Sequence, residues 1–441
     1  MIPPAKNAKK DMISDLPDCV ILLILSLLNS EEAVRTCILS LRWKDLWKRL
    51  PLLKFHKPKD LNSTIFANFV SNVLSLRDSS ISLHALDFKH KFGVLEPHIL
   101  DKIADYAISH NVQRLRLSVI RCTAQIPTSL CSSQTLTHLK ISIWYDGVAQ
   151  ISLSLPALTY LKLCVSCEKV AQFSLDLPAL TYLRLSLRAC RENLFPKSLY
   201  LPSLTTLQVE HFTFCAGDDG CAEPFSTFNK LKSLLINHCD VERGARTLRI
   251  SNAMLVNLTI CIDSYDNYDK IDLCTPSLCA FAFHGFIIQN ISWGNISSLK
   301  DVTIDAQLFP YGEGGNPLFI FNWLLEFANI TSLTVTASTL QILNLIPGVL
   351  NFNNPSLGKL KSLKVNVDEI QNGVRLKLCK DKLQNVKSKR EAARIERAYA
   401  FGLEPSPAVP DGIVNFLLHN SPSAEVDFVD CTKKQRRWRH L

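Results

Sequence analysis

The run Asp11-Met-Ile-Ser-Asp-Leu-Pro-Asp-Cys-Val-Ile-Leu-Leu-Ile-Leu-Ser-Leu-Leu28, followed after a polar turn by Leu39-Ser-Leu-Arg-Trp-Lys-Asp-Leu-Trp47, decides how the chain is read. Three short helices are predicted across it. Ser14 and Asp15 can cap the first, with Pro17 and Asp18 in its opening turn, because the orphan amides of a helix start want acceptors and proline has no amide to leave unpaired. Asn29 or Ser30 begins the second, which places Glu31 and Glu32 at the positive end of its dipole. Ala33 to Leu39 leads into a third that carries Trp43, Leu46 and Trp47.

From Cys19 to Leu28 every position except Ser26 is apolar. A helix without a polar face is buried all round, yet a three-helix unit can cover only one side of it. The other side is predicted to need a partner protein. The stretch closely resembles the plant F-box, in Leu16-Pro17-Asp18, in the apolar helix ending Ile24-Leu-Ser-Leu-Leu28, and in the closing Leu39 to Trp47 segment. The resemblance implies that Leu16, Pro17, Leu22, Ile24, Leu25 and Leu28 contact a Skp-type adaptor, with Trp43 and Trp47 packing behind them. Through that adaptor the protein would join a cullin and a RING protein. The rival reading of the same residues is a small helical cap on the domain that follows.

The chain has 441 residues, 47% of them hydrophobic, enough for one long domain or several small ones. Its 15 cysteines are scattered singly, which suits a reducing compartment where thiols act as small buried hydrophobes. Cys164-x-x-Cys167 lacks a second ligand pair at zinc spacing, so no metal or cofactor is expected. Lysines ahead of Val20 to Leu28 imitate a secretory signal, but Asp11, Asp15 and Asp18 intervene, no small-residue cleavage site follows, and the run is too short for a bilayer. The sequons at Asn62, Asn257, Asn290, Asn295 and Asn329 are therefore expected to stay unglycosylated. The net charge of +9 gathers at the ends, in Lys6, Lys9 and Lys10 and in Lys433, Lys434, Arg436, Arg437 and Arg439. That pattern suggests solvated tails, or a nuclear import signal, and not a nucleic-acid or membrane face. The expected location is the nucleus, the cytoplasm or both.

A repeat of Leu-x-x-Leu-x-Leu or a close variant begins at Leu83, Leu86 and Phe88. It recurs through Leu115 and Leu117, Leu139 and Ile141, Leu161 and Leu163, Leu183 and Leu185, and onward to Leu360, Leu363 and Val365, commonly 21 to 24 residues apart. This period lies in the leucine-rich-repeat range, where each unit gives one strand to a curved parallel sheet and none can bury its apolar face alone. Second period-2 runs, Ile151-x-Leu-x-Leu155 and Phe173-x-Leu-x-Leu177, end before Pro156 and Pro178, which turn the chain into the next strand; Pro202 has the same place. From Ser356 onward the chain resembles the FBD region that follows such repeats in plant F-box proteins, apart from the charge-rich, helix-prone stretch Lys380 to Arg397. Gly217 to Gly220 and Tyr311 to Pro317 read as exposed loops.

The predicted fold is α/β: a three-helix F-box (11–56), a helical linker (57–80), a leucine-rich-repeat solenoid (81–355), an FBD-like region (356–430) and a basic tail (431–441). No nucleophile-elbow, zinc-protease, Walker or dinucleotide motif is present, so no catalytic residue is expected. The function implied is that of the non-catalytic substrate-recognition subunit of an SCF-type cullin-RING ubiquitin ligase. The rival is a repeat scaffold or ligand sensor that does not act through a ligase.

Strand alternation also places a candidate target surface. Between the two inward leucines of successive units stand Arg116, Lys140, Lys162 and Arg184, and beside them Arg114, His138, Tyr160 and Tyr182. Parallel strands lie about 4.8 Å apart, so the cations should form a column facing solvent, next to a column ending in two tyrosines. An acidic or phosphorylated target is one reading of it. The other is that these cations only keep the sheet soluble.

Overall fold

The computed structural model describes residues 16–431 apart from 123–125, 146, 189–192, 197–198, 263–268, 289, 310–314, 353–354, 356, 368–369, 385, 387 and 401–408. The chain forms two compact units, residues 1–204 and 205–441. The first begins with helices α1 (Asp18–Leu27) and α2 (Ser30–Arg35) and continues through β1 (Leu52–His56), α3 (Ser63–Leu76), β2 (Ala85–His90) and α4 (Pro97–Ser109). It ends with β3 (Arg114–Cys122), β4 (His138–Tyr145), β5 (Val148–Ser154), β6 (Tyr160–Ser166), β7 (Lys169–Asp176) and β8 (Tyr182–Arg188).

Strands β1, β2, β3, β4, β6 and β8 pair in that order, all parallel. Strands β5 and β7, which contain the second period-2 runs, pair with each other apart from this sheet. The repeat leucines point inward: Leu115, Leu117, Leu139, Ile141, Leu161, Leu163, Leu183 and Leu185 are all buried. At each strand entry a threonine amide reaches back one repeat, Thr159 N to Thr137 O and Thr181 N to Thr159 O, both at 2.9 Å. Their hydroxyls donate to the same carbonyls at 3.1 and 3.0 Å. The prolines sit where a tight turn wants a fixed φ. Leu158 N bonds Leu155 O at 3.3 Å across Pro156, and Leu180 N bonds Leu177 O at 3.1 Å across Pro178.

The third helix expected around Trp43 is absent. Residues 36–38 and 46–49 are single 3-10 turns, with a bent segment between them. Trp43 N bonds Ser40 O at 3.1 Å, a three-residue step that carries both tryptophans inward without a full helix. Ser14 and Asp15, the expected caps of α1, lie outside the described residues. Helix α3 is more than a linker: Asn62 caps it, and Phe66 and Phe69 meet Phe88 and Phe55 on the sheet at 5.9 and 6.3 Å between ring centres. Helix α4 has no counterpart among the sequence expectations. Pro97 in its first turn and the buried Ile99, Leu100, Ile103, Ala104 and Ala107 account for it.

In the second unit β9 (Thr206–Glu210) leads the chain through β10 (Thr213–Phe214), β11 (Cys221–Ala222), β12 (Ser233–Asn237), β13 (Asp240–Val241), β14 (Thr247–Ser251), β15 (Asn257–Ile262) and β16 (Lys270–Cys274). Then come β17 (Ala280–Phe286), β18 (Asn290–Trp293), β19 (Asp301–Gln307), α5 (Pro317–Glu326), β20 (Ser332–Thr336), α6 (Ala337–Asn344) and β21 (Ser362–Val367). The unit ends in α7 (Asn372–Gln384), α8 (Lys389–Ala400), α9 (Ile413–Leu418) and β22 (Glu425–Asp430). Strands β9, β12, β15, β17, β19, β20, β21 and β22 form one parallel sheet, and β11, β14, β16 and β18 another. Within residues 356–430, β21 and, after α9, β22 extend the main sheet of this unit. The charge-rich stretch is part of two helices, α7 and α8. Tyr399 of α8 is buried with Lys382 of α7 over its ring, at 5.5 Å to the centroid, while most of α8 faces solvent. Gly217 to Gly220 forms the expected turn; Tyr311 to Gly314 lie outside the described residues, and Pro317 starts α5.

His90 is fully buried beside Phe66 and Phe88, with Ser63 Oγ 3.2 Å from its Nε2. Burial, with Lys57 nearby, pushes its pKa down from 6.5 to about 4. The folded state therefore holds this imidazole neutral where the unfolded chain would protonate it. The stabilisation is complete above about pH 6.5 and is lost as pH falls towards 4, a difference on the order of 3 kcal/mol. Urea unfolding at pH 7 and pH 4.5 should show a larger loss of stability for the native chain than for His90→Gln; equal losses would mean that this group does not set the acid limit.

Candidate functional site

Helix α1 is held at both ends. Asp18 accepts hydrogen bonds from Arg42 at 2.8 Å and Arg49 at 3.3 Å, and these guanidinium groups, Arg42 first, hold its carboxyl below the usual carboxylate range. At the other end Lys54 Nζ donates to the Ser26 carbonyl at 2.8 Å and to that of Leu27 at 3.5 Å, a cationic cap on carbonyls that the helix leaves unpaired. The Lys54 amide donates to Ser30 Oγ at 2.9 Å, which fixes the start of α2 against β1. Asn29 and Glu32 close a reciprocal capping box at 2.9 and 3.1 Å.

Held this way, α1 turns Ile21 and Leu25 inward, and Trp43, Leu46 and Trp47 are buried with them. Val20, Leu23, Ile24 and Leu27 face out at helical spacing, Leu23 63% and Leu27 75% exposed. Ile38, Leu39 and Leu41 are exposed as well, Leu41 at 92%. So many large apolar side chains left to solvent in one small helical region mark an interaction surface.

Of the residues expected to face an adaptor, Pro17 and Ile24 are exposed, and Leu16, Leu22 and Leu28 are half-buried. Leu25 requires correction: it is 0% exposed and belongs to the core of the box. Trp43 and Trp47 are buried. Val20, Leu23, Leu27, Ile38, Leu39 and Leu41 were missed. In a helix this apolar the sequence gives little phase, and the anchors Asp18 and Lys54 help fix which side faces out.

The second candidate surface is the outward side of β3, β4, β6 and β8. The register sets Arg116, Lys140, Lys162 and Arg184 opposite one another, and likewise Arg114, His138, Tyr160 and Tyr182. The aromatic rings stack, His138 on Tyr160 at 5.6 Å and Tyr160 on Tyr182 at 4.4 Å with planes 3° apart. Lys140 Nζ lies 5.2 Å from the Tyr160 ring centre. Burial, then Arg116 and Lys162, lower the Lys140 pKa, while burial, then Tyr160, raise that of Tyr182. The column is not wholly without counter-charge. Asp87 on β2 stands opposite Arg116 and pairs with it at 3.3 Å, with Lys89 at 3.3 Å and with His56 at 3.4 Å. Lys162 has no hydrogen bond or ion pair among the described residues.

In the second unit a cavity of about 820 Å³ is walled by Leu308, Phe309, Leu318, Ile346, Phe352 and Leu376, with Lys377 and Lys380 at its edge. Among the described residues no cluster of His, Cys, Asp and Glu could hold a metal ion, and no helix is long and apolar enough to cross a membrane.

An apolar helix face offered by a small helical box, joined to a long parallel β-solenoid, defines a protein built on interaction surfaces. Residues 13–55 match the F-box domain family. The chain is similar to a putative F-box/LRR-repeat protein of Arabidopsis thaliana, 24% identical over 360 residues that cover 76% of this chain and 48% of the relative. An F-box protein of the same plant is 24% identical over 387 residues, 81% of this chain and 71% of the relative. A putative FBD-associated F-box protein of the same plant is 35% identical over 131 residues, 29% and 33% of the two chains. The matched part thus spans about half of the first relative. The chain carries an N-terminal F-box and is homologous to plant F-box proteins of the FBD and LRR kinds.

The two sides of α1 make opposite demands on a charge. Leu25→Asp would bury an unpaired carboxylate and should destabilise the box by about 3 kcal/mol or more, whereas Leu27→Asp should stay within about 0.5 kcal/mol of the native chain. Tryptophan fluorescence during urea unfolding reads both; equal effects would mean that α1 is turned differently.

Proposed function

We infer that this chain is the substrate-recognition subunit of an SCF-type cullin-RING ubiquitin ligase. The F-box would bind a Skp-type adaptor and, through it, cullin and RING proteins, while the leucine-rich solenoid captures a target. The observation that carries this reading is the coincidence of the F-box match at 13–55 with the outward apolar stripe of α1. The chain's part in catalysis is positional. Holding a target lysine near a ubiquitin thioester raises its effective concentration, and no side chain here needs to do acid-base work.

A second reading, a ligand sensor working without a ligase, has one observation behind it, the cavity of about 820 Å³, whose size suits a small molecule. Co-purification separates the two. The native chain should retain a Skp-type adaptor and cullin, and Leu23→Asp combined with Leu27→Asp should lose both while circular dichroism stays native. Undiminished capture by the folded double variant, or no capture by the native chain, would overturn the ligase reading.

A further inference from the structure

We propose that the open edge of β22 receives an extended segment of a partner protein in which basic and apolar residues alternate, paired to it as one more β-strand. The surface lies in the second unit, and the inference stands apart from the ligase reading. Strand β22 ends the main sheet of that unit and, among the described residues, pairs with β21 only. Glu425 N bonds Lys361 O and Cys431 N bonds Val367 O, both at 2.9 Å. The backbone groups of a strand turn alternately to its two edges. The odd-numbered residues therefore face β21, and the amides and carbonyls of Val426 and Phe428 point to the open edge. Such a row is a template for another strand.

The two faces of β22 say which strand fits. The register sets Val426 beside Leu363 and Phe428 beside Val365, on the side that packs the core. Leu363 and Val365 are 0% exposed, whereas Val426 is 37% and Phe428 54% exposed, because no further repeat covers them. On the other face Glu425 and Asp427 are exposed, and their carboxylates have no hydrogen bond or ion pair among the described residues. A strand added here continues both faces, with apolar residues beside Val426 and Phe428 and cations beside Glu425 and Asp427. Charge disfavours a second copy of this chain. Any two-fold pairing of β22 with itself that keeps Val426 and Phe428 of both copies on one face gathers Glu425 and Asp427 of both on the other, and like charges on paired strands are destabilising. The chain's own cations Lys433, Lys434, Arg436, Arg437 and Arg439 lie outside the described residues. Between them and β22 the sequence Cys431-Thr-Lys-Lys-Gln435 has no Gly, Asn or Asp for the tight primed turn that would bring them back along the strand.

The probe is a fluorescein-labelled peptide of alternating lysine and valine, titrated into the full chain and followed by fluorescence anisotropy. The native chain should bind it at least tenfold more tightly than a peptide of the same composition with the lysines in one block. The alternating peptide with N-methylated amides keeps its charge but loses its donors, and it too should bind at least tenfold more weakly. Glu425→Lys with Asp427→Lys should lose at least tenfold while circular dichroism stays native. Val426→Pro removes an outward amide, spares those that face β21, and should weaken binding as well. Equal affinity for the block or the N-methylated peptide would reduce the edge to undirected negative charge and overturn the inference, as would unchanged binding by the folded charge-reversed variant. No binding by the native chain would overturn it too, leaving Glu425 and Asp427 as charges that keep the edge unpaired. Binding that appears only after glutamine replaces Lys433, Lys434, Arg436, Arg437 and Arg439 would assign the edge to the chain's own tail. A dimer in analytical ultracentrifugation that Phe428→Asp dissociates would assign it to a second copy. Either result overturns the inference.

Discussion

Each strand of the two units buries its leucines only because the next repeat covers them. Leu161 and Leu163 of β6 lie between the equivalent residues of β4 and β8, and the Thr159 and Thr181 hydroxyls repeat one backbone bond at the entry of each strand. This nearest-neighbour dependence explains the regular inner rows and the freedom of the outer ones. A residue between two inward leucines lies outside the core, so its identity is freer than theirs. The same step can be repeated outside the strands. His211 and His238, one residue past β9 and β12, both take positive φ, 61° and 50°, and their rings stack at 5.0 Å.

The F-box is not a bead on a string. Its last segment is β1, which pairs with β2 in register from Leu52 to His56, so the sheet of the first unit starts inside the box. Arg77, buried at the end of α3, donates to the carbonyls of Leu50 and Ser82 and so joins the two sides of that junction. A buried guanidinium is tolerated when carbonyl oxygens take up its donors. Lys54 then ties β1 to the end of α1. Box, junction and sheet are one chain of contacts.

The repeat register was legible in the sequence because strand alternation has a period of two and the leucines mark it without ambiguity. It placed Arg116, Lys140, Lys162 and Arg184 in one row, and the paired strands agree. The phase of α1 was not legible. An apolar helix of ten residues offers no polar face to orient it, and the ion pairs of Asp18 with Arg42 and Arg49 connect residues 24 and 31 positions apart. Leu25 was placed outward for that reason, and Leu23 and Leu27 were overlooked. Asp87 was missed as a counter-charge because it lies 29 residues from Arg116, in a repeat whose charge differs from those after it.

These two limits concern the same physical question, how far a surface can be held fixed relative to another in one unit. Positional catalysis gains from rigidity, since a target tethered by flexible chain explores a volume and its effective concentration falls. In the first unit Lys54 of β1 holds the end of α1, and the strands carrying the cationic row follow β1 and β2 in one parallel sheet. The links named are backbone hydrogen bonds between parallel strands and the Lys54 side chain on the end of α1. The apolar stripe of α1 is thereby tied to the sheet that carries Lys140 and Lys162.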